Sequence, residues 1–257
     1  MKKLLALILC MVMAVLITGC GSGGSGSDYQ DIVDKGELVV GITDYAPMDY
    51  KDDNGEWTGF DAEFAQAVAK KMGVKVKFMV IDWDNKFLEL NSKSIDCVWN
   101  GMTICEEVTN NTSCSKAYAK NEQVVVMKEK DSKKYKDVKS LSGLSFAVES
   151  GSAGETAAKD NSLKFTAVSA QSDALMEVES GSVDACIIDS TMAAAMTGKG
   201  TSYEDLAQSA TLTKEEYGVG FRKDSDMTKK FNSYLDELKK DGTLGKLSKK
   251  YSVALAD

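Results

Sequence analysis

Patterns typical of strands and of helices alternate along this chain, and the alternation limits its fold more than any other feature. "GELVVGITDY" (36–45) and "IDCVWNG" (95–101) are apolar, bounded by turn residues, and predict buried strands. Between them, "GFDAEFAQAVAKKMG" (59–73) repeats apolar residues every four positions and ends at a glycine, which predicts a helix. "VKVKFMVI" (74–81) alternates as a strand. Such an order forms βαβ units around a parallel sheet, so the sequence predicts an α/β fold.

A similar passage occurs twice. "FLELNSKSIDCVWNG" (87–101) aligns with "LMEVESGSVDACIID" (175–189), and each pattern predicts an amphipathic helix, a polar turn and a buried strand. General βαβ patterning also produces matches of this length. Further strand and helix patterns over 141–169 lie between the two passages, and an amphipathic helix over 227–242 follows them. Together they indicate two α/β lobes of similar build.

The N-terminal segment is typical of an export signal. Lys2 and Lys3 precede an apolar run, which is followed by small residues and Cys20. This arrangement predicts a signal peptide over 1–19, and the apolar run is short for a membrane-spanning helix. The Gly/Ser-rich residues that come next predict a flexible tether over 20–29.

Composition excludes several classes of function. The net charge is −8, whereas a nucleic-acid-binding protein needs a basic surface. The chain has no histidine and no Cys-x-x-Cys pair, so we expect no metal site, no histidine-assisted catalysis and no cofactor. Cys97 and Cys186 lie inside predicted strands and are interpreted as small core residues.

Several segments carry a family resemblance. They are "ELVVGITDYAPMDYKDDNGEWTGFDAEFAQAVAKKMG", "IDCVWNGMTI", "FAVESGSAGE", "VDACIIDS" and "YGVGFRKDS" with "LDELKKDGTLGKLSKKY", within residues 36–252. Together they resemble the polar amino-acid solute-binding proteins of bacterial ABC importers, the family 3 extracellular solute-binding proteins. The resemblance implies two Rossmann-like lobes joined by two crossing hinge strands, with a ligand cleft between the lobes. Lobe 1 is expected over 30–121 and 216–257, and lobe 2 over 122–215.

The resemblance also implies where the protein works. "ITGC" resembles the lipobox of bacterial lipoproteins, so Cys20 is expected to be acylated and to anchor the exported protein to the outer face of the cell membrane. An ordinary signal peptide with a chance cysteine is the alternative. The expected function is that of a monomeric substrate-binding component. It would capture an amino acid or related amine-bearing solute by lobe closure and deliver it to ABC permease subunits.

The resemblance further implies the polar ligand contacts. Asp189 matches the aspartate that binds the ligand's α-ammonium, and the alternative is that it caps the next helix. Asn100, the backbone of Gly101, and Thr103 fall on the turn that binds the α-carboxylate.

Aromatic walls are implied as well. Tyr45 and Trp83 fall on the two aromatic positions, with core packing as the alternative for Trp83. The loop 42–46 is one residue shorter than the commoner pattern, which leaves the role of Asp44 open.

The sequence departs from the family at the cationic end of the cleft. Val108 stands where the carboxylate-binding arginine is expected, and Glu149 where some members carry lysine. Backbone N–H groups at the helix that starts near Ser152 are one compensation, and Lys116 or Lys120 is another. Otherwise the ligand is a more cationic solute: a basic amino acid, a diamine or polyamine-like molecule, or a methylated amine bound through cation–π contacts.

Cys105 and Cys114 bracket a short segment of an exported chain. A disulfide between them would close that segment, and two separate thiols are the alternative.

Two other functions stay open at this level. A dehydratase-type enzyme would use Glu149 as a general acid. A sensor domain would present its ligand to a separate receptor.

Overall fold

The computed structural model describes residues 27–257, so the predicted signal peptide and Cys20 lie outside it. Among these residues, no helix is long and apolar enough to cross a membrane. The helices are α1 (Asp28–Lys35), α2 (Phe60–Met72), α3 (Lys86–Asn91), α4 (Glu106–Asn111), α5 (Glu129–Ser132), α6 (Ala153–Asp160), α7 (Gln171–Ser180), α8 (Ser190–Met196), α9 (Met227–Lys240) and α10 (Thr243–Tyr251). The strands are β1 (Glu37–Ile42), β2 (Tyr50–Lys51), β3 (Trp57–Thr58), β4 (Lys75–Val80), β5 (Cys97–Thr103), β6 (Ser113–Cys114), β7 (Ala119–Lys128), β8 (Ser145–Glu149), β9 (Lys164–Val168), β10 (Ala185–Asp189) and β11 (Leu206–Phe221).

One long mixed sheet organises the described chain, in the order β4-β1-β5-β11-β7-β10-β8-β9. At one end β4, β1 and β5 are parallel, and at the other end β10, β8 and β9 are parallel. Between these groups, β11 and β7 are antiparallel to each other and to their outer neighbours. Parallel strands require crossover connections, which the helices supply. The predicted α/β fold with two Rossmann-like lobes is confirmed.

The two central strands, β7 and β11, connect the lobes. They pair from Ala119 with Tyr217 to Lys128 with Leu206. The sequence predicts a strand over 217–225, but β11 starts at residue 206 and ends at 221. The side chains in the first half of β11 are mostly only partly buried. This half therefore has no clear repeat of apolar residues, and the sequence pattern does not detect it. The exact lobe boundaries stay a prediction.

An aromatic cluster fills the core of the first lobe. The Phe64 ring of α2 lies 4.8 Å from Trp99 of β5, measured between centroids, and the Trp99 ring lies 5.0 Å from Phe231 of α9. Both pairs are edge-to-face, a favourable geometry for aromatic rings. The helix pattern of 59–73 is confirmed, because its repeating apolar residues are buried against this cluster. Cys97 and Cys186 are also buried in strands, as predicted.

Helix α1 is not predicted by the sequence pattern. Ser27 caps it and Asp28 starts it, so the predicted tether (20–29) ends earlier than expected. The helix is held by Arg222, whose Nε donates to Asp28 at 3.0 Å and whose Nη1 donates to the carbonyl of Ile95 at 2.7 Å. The guanidinium also lies 3.5 Å from Asp96. The single arginine of the sequence therefore ties three segments together on the lobe's periphery.

Replacement of Arg222 tests this tie. Arg222→Met keeps most of the stem but leaves Asp28 and two backbone carbonyls without their donor, so we expect a loss of about 3 kcal/mol in the free energy of unfolding. Urea denaturation measures it. The control is Lys223→Met at an exposed neighbouring lysine, for which the loss should be under about 0.5 kcal/mol. Equal effects of the two substitutions would contradict the role given to Arg222.

Candidate functional site

A small cavity of about 40 Å³ lies between the lobes. The carboxyl ends of β5, β8 and β10 meet there, as expected for ligand sites of open α/β sheets. The predicted site residues that line it are Trp83, Asn100, Gly101, Thr103, Glu149, Ser152 and Asp189.

Asp44 and Tyr45 are not among the lining residues. Asp44 is exposed to solvent. Tyr45 is buried, and its hydroxyl is 2.7 Å from that of Tyr217. A Cβ atom at Gly101 would lie 2.7 Å from the Tyr45 ring, so this ring packs directly against the Gly101 backbone. Trp83 therefore supplies an aromatic wall of the cavity, whereas Tyr45 supports the adjacent turn.

The turn of β5 that the family resemblance assigns to the ligand's carboxylate is engaged by the protein itself. The Gly101 N–H donates to Asp61 at 2.7 Å, and the Thr103 hydroxyl donates to Glu215 at 2.7 Å. Gly101 has a φ of 56°, a left-handed conformation that favours glycine. The Gly101 N–H is consequently engaged within the protein, and the expected contact of the Gly101 backbone with a ligand stays a prediction.

Asn100 has a structural role in the same turn. Its Oδ1 accepts from the backbone N–H and the hydroxyl of Thr43, at 3.1 and 2.7 Å. Its Nδ2 donates to the Thr43 carbonyl at 3.1 Å and to Asp49 at 2.7 Å. These four contacts connect the end of β5 to the loop after β1, so the Asn100 amide positions the cavity wall.

Two buried carboxyl groups, Asp49 and Asp61, lie beneath this turn. Burial raises the pKa of both, that of Asp61 to about 7, and the charge of Asp61 further raises the pKa of Asp49. Tyr118 donates to Asp61 at 2.7 Å, which opposes the shift. Each carboxyl group has one oxygen without a hydrogen-bond partner among residues 27–257. A proton on one of the two groups removes the repulsion between two buried charges.

Asp189, at the end of β10, is held by three side-chain amides. Asn121 and Gln123 donate to its Oδ1 at 2.6 and 2.5 Å, and Gln171 donates to its Oδ2 at 2.5 Å. Its side chain makes no capping hydrogen bond to helix α8. Burial raises the pKa of Asp189 to about 7, and the charge of Glu215 adds to this shift. The three amides fix the carboxylate on the cavity wall and leave room for a further donor.

Glu149, at the end of β8, has a different environment. Its side chain is buried, with a residue exposure of 3%, and its Oε1 has no hydrogen-bond partner among the described residues. Burial raises the pKa of Glu149 to about 8, and the charge of Asp189 acts in the same direction. Lys86 has the opposite effect. Glu149 is therefore a carboxyl group on the cavity wall whose partner the chain does not provide.

The cavity contains a cation that the sequence prediction missed. Lys86, the first residue of α3, is 3% exposed and lines the same cavity as Val108. Its Nζ donates to the carbonyl of Gly151 at 2.9 Å and to that of Trp83 at 3.3 Å. Burial lowers the pKa of Lys86, and neighbouring acids oppose this. A lysine is electrostatically unfavourable in the first turn of a helix, and this was the available signal.

Lys116 and Lys120, the lysines that the sequence offered as compensation, do not line the cavity. Lys116 pairs with Asp236 at 2.7 Å and Lys120 with Asp257 at 3.0 Å, and both lysines are largely exposed. That part of the expectation is wrong, because both side chains extend to acids on the surface.

Cys105 and Cys114 are both free thiols. Cys105 precedes α4 and is exposed, whereas Cys114 is partly buried in β6, where its Sγ packs against Gly218. The structure therefore contains separate thiols instead of the disulfide considered from the sequence.

The chain belongs to the bacterial extracellular solute-binding proteins, family 3. The sequence profile of this family matches residues 38–254. The family identified from the sequence segments is thus confirmed, and the chain is an exported protein of the solute-binding class.

Relatives support the same assignment. The arginine-binding extracellular protein ArtP of Bacillus subtilis is 34% identical over 260 residues, covering 98% of each chain. The L-cystine-binding protein TcyA of the same bacterium is 33% identical over 267 residues, covering 98% of this chain and 97% of TcyA. The crystal structure of the ancestral amino acid-binding protein AncCDT-1, a precursor of cyclohexadienyl dehydratase, has a TM-score of 0.80 at 33% identity. It covers 88% of this chain and 99% of its own.

The buried pair Asp49 and Asp61 generates a pH prediction. Carboxyl groups with a raised folded-state pKa stabilise the fold at low pH and lose this contribution as the pH rises through that pKa. Wild-type stability should therefore fall between about pH 4 and 7, by up to about 1.4 kcal/mol per pH unit for one group. Asp61→Asn retains an acceptor for Gly101 and Tyr118 and cannot ionise. The free energy of unfolding of this variant should therefore fall less than that of the wild type over the same pH range.

Urea denaturation at pH 5, 6 and 7 measures this difference. Glu149 and Asp189 contribute in both proteins, so the difference between the two slopes reports Asp61 together with its effect on the pKa of Asp49. Asp53→Asn, at an exposed aspartate, is the control and should follow the wild-type slope. Parallel plots of unfolding free energy against pH for Asp61→Asn and wild type would contradict the raised pKa of Asp61.

Proposed function

We propose that the protein captures an amino acid in this cavity and serves as the extracytoplasmic substrate-binding component of an ABC importer. One observation carries the proposal: a buried cation, Lys86, and a fixed buried carboxylate, Asp189, line the same cavity. These are the two charges that a zwitterion requires. The names of the relatives support it, since ArtP binds arginine and TcyA binds cystine, both of which are amino acids.

The proposed ligand contacts follow from the hydrogen-bond donors and acceptors that the cavity side chains leave unused. The Lys86 ammonium has three N–H donors and uses two of them on carbonyl groups, which leaves one for the ligand's α-carboxylate. Ser152 caps α6 by accepting from the Glu155 N–H at 3.1 Å, so its own hydroxyl proton remains to donate. Asp189 would accept from the α-ammonium, and Trp83 would cover the ligand's side chain.

Contacts across the cleft support capture by lobe closure. Lys86 of the first lobe donates to the carbonyl of Gly151 in the second lobe. Gly151 has a φ of 69°, and a Cβ atom there would lie 2.8 Å from an oxygen of Asp84. A close approach of the two lobes thus depends on a glycine at this position. The paired strands β7 and β11 would form the hinge between lobe 1 (30–121 and 216–257) and lobe 2 (122–215).

The remaining parts of the proposal concern location and partners. The segment that precedes α1 would end at an acylated Cys20 and anchor the protein to the outer face of the cell membrane. The closed form would act as a monomer and present its ligand to ABC permease subunits.

A second candidate function is a dehydratase-type enzyme. It is favoured by the pKa of Glu149, about 8, which keeps this buried carboxyl protonated and able to act as a general acid. The similarity to AncCDT-1, a precursor of a dehydratase, points the same way. We favour binding without turnover, because fold similarity alone does not define a reaction. Incubation with arogenate, followed by chromatography for a dehydrated product, separates the two functions.

Replacement of Lys86 tests the amino-acid proposal. Wild-type protein should bind at least one of the protein amino acids or cystine reversibly, as measured by isothermal titration calorimetry. Lys86→Met should weaken that binding at least about tenfold, because the ligand's α-carboxylate loses a buried cationic partner. Lys116→Met, at an exposed lysine outside the cavity, should leave the affinity unchanged.

A rescue variant distinguishes ligand contact from a structural effect. Val108 lines the same cavity as Lys86, so Val108→Arg in the Lys86→Met background should recover part of the affinity. Wild-type affinity in Lys86→Met alone would contradict the proposed contact. Absence of binding to every amino acid would contradict the proposed function itself.

A further inference from the structure

We infer that the ligand carries a second cationic group besides its α-ammonium, and that Glu149 binds this group. The ligand class is then the basic amino acids. This inference rests on the proposed function, since it assumes that an amino acid occupies the cavity.

The first argument compares the two buried carboxylates of the cavity. Asp189 receives three neutral amide donors, from Asn121, Gln123 and Gln171, so the chain itself stabilises its charge. Glu149 is buried to the same degree, but its Oε1 has no donor among residues 27–257. An ionised carboxylate without partners is strongly disfavoured when buried, so Glu149 keeps its proton near neutral pH until a donor or a cation lies beside it. Because Glu149 lines the cavity, a ligand is the natural source of the missing donor.

The second argument excludes Lys86 as that donor. Its Nζ donates to the carbonyls of Gly151 and Trp83, and the Glu149 Oε1 accepts no hydrogen bond from Lys86 or from any other described residue. The Lys86 ammonium also lies over aromatic rings, 5.2 Å from the Trp83 centroid and 4.8 Å from the Phe87 centroid. Lys86 is thus held away from Glu149 by its own contacts and stays available for a carboxylate.

The third argument is the charge balance of the cavity. Its buried ionisable side chains are one cation, Lys86, and two acids, Glu149 and Asp189. A neutral zwitterion would pair Lys86 and Asp189 and leave Glu149 either uncompensated or protonated. A basic amino acid offers one carboxylate and two cations, which matches all three groups. Glu107 also lines the cavity, but it is exposed and therefore solvated.

Matched ligands and a matched variant test the inference. Citrulline has nearly the shape of arginine but a neutral urea group, and norleucine lacks the ammonium of lysine. Calorimetry on the wild-type protein should give at least about tenfold tighter binding of arginine or lysine than of its neutral counterpart. Glu149→Gln, which keeps the size of the side chain, should remove most of this preference by weakening the cationic ligand.

The controls separate this inference from the proposed function. Glu106→Gln, at an exposed acid outside the cavity lining, should keep the preference for the cationic ligand, and the melting curve of Glu149→Gln should show a folded protein. Tighter binding of neutral amino acids by wild type would overturn the inference while leaving the proposed function intact. An unchanged preference in Glu149→Gln would do the same. Failure of all amino acids to bind would instead remove the proposed function.

Proton release provides an independent measurement. Glu149 faces the charges of Lys86, Asp189, Asp173 and Asp82, and burial with the three acids outweighs Lys86 to hold its pKa at about 8. A cationic group beside Glu149 favours the ionised form, so arginine or lysine should bind with release of a proton at pH 7. Ionisation of Glu149 should raise the affinity by up to about tenfold per pH unit below pH 8, and ionisation of Asp189, whose pKa is about 7, adds to this rise below pH 7. Calorimetry in buffers of different ionisation enthalpy measures the release, which should be smaller in Glu149→Gln.

Discussion

The antiparallel pairing of β7 with β11 is the interaction on which the fold and the cavity both depend. These strands join two groups of parallel strands whose carboxyl ends face each other across the cleft. They also carry the polar side chains of the hinge. Asn121 and Gln123 of β7 each donate to both Asp189 and Glu215, and Glu215 of β11 accepts from Thr103 of β5. One hydrogen-bonded group thus connects both lobes to the site.

Buried carboxyl groups define the chemistry around this hinge, and their partners differ. Asp49 and Asp61 lie beneath the β5 turn and are satisfied in part by Asn100, Gly101 and Tyr118. Local donors and protonation offset the free-energy cost of burying these two carboxyl groups. Asp49 and Asp61 therefore support the shape of the cavity wall. Asp189 is stabilised by neutral amides and keeps a fixed position. Glu149 lacks such support at its Oε1, and this difference is the reason that we infer a ligand-binding role for it.

Much of the fold could be predicted because it follows from local patterns. The helix over 59–73 and the strands that contain Cys97 and Cys186 arise from apolar periodicity, which reflects burial directly. Helix α1 and the first half of β11 could not be predicted in this way. Both are stabilised by contacts remote in sequence, such as Arg222 with Asp28, and neither has a strong apolar repeat.

The candidate site was predictable in position more than in chemistry. Segment resemblance placed Trp83, Glu149 and Asp189 near one another, and they line one cavity. It also placed the Gly101 backbone on the carboxylate-binding turn, and the structure shows that the N–H of this residue donates to Asp61. It missed Lys86, since a lysine in a short helix is most often a solvated side chain, and its unfavourable place in the first turn was a weak local signal.

The sequence by itself determined the α/β class, the family and the absence of an arginine at position 108, because these depend on residue types and their order. Only the tertiary structure decided which charges share the cavity. Burial and hydrogen-bond partners are set by segments far apart in the chain: Gly151 receives the Lys86 ammonium, three amides surround Asp189, and none reaches the Oε1 of Glu149. The free-energy cost of burying a charged side chain depends on those neighbours, so the role of each charged residue can be inferred only from the folded structure.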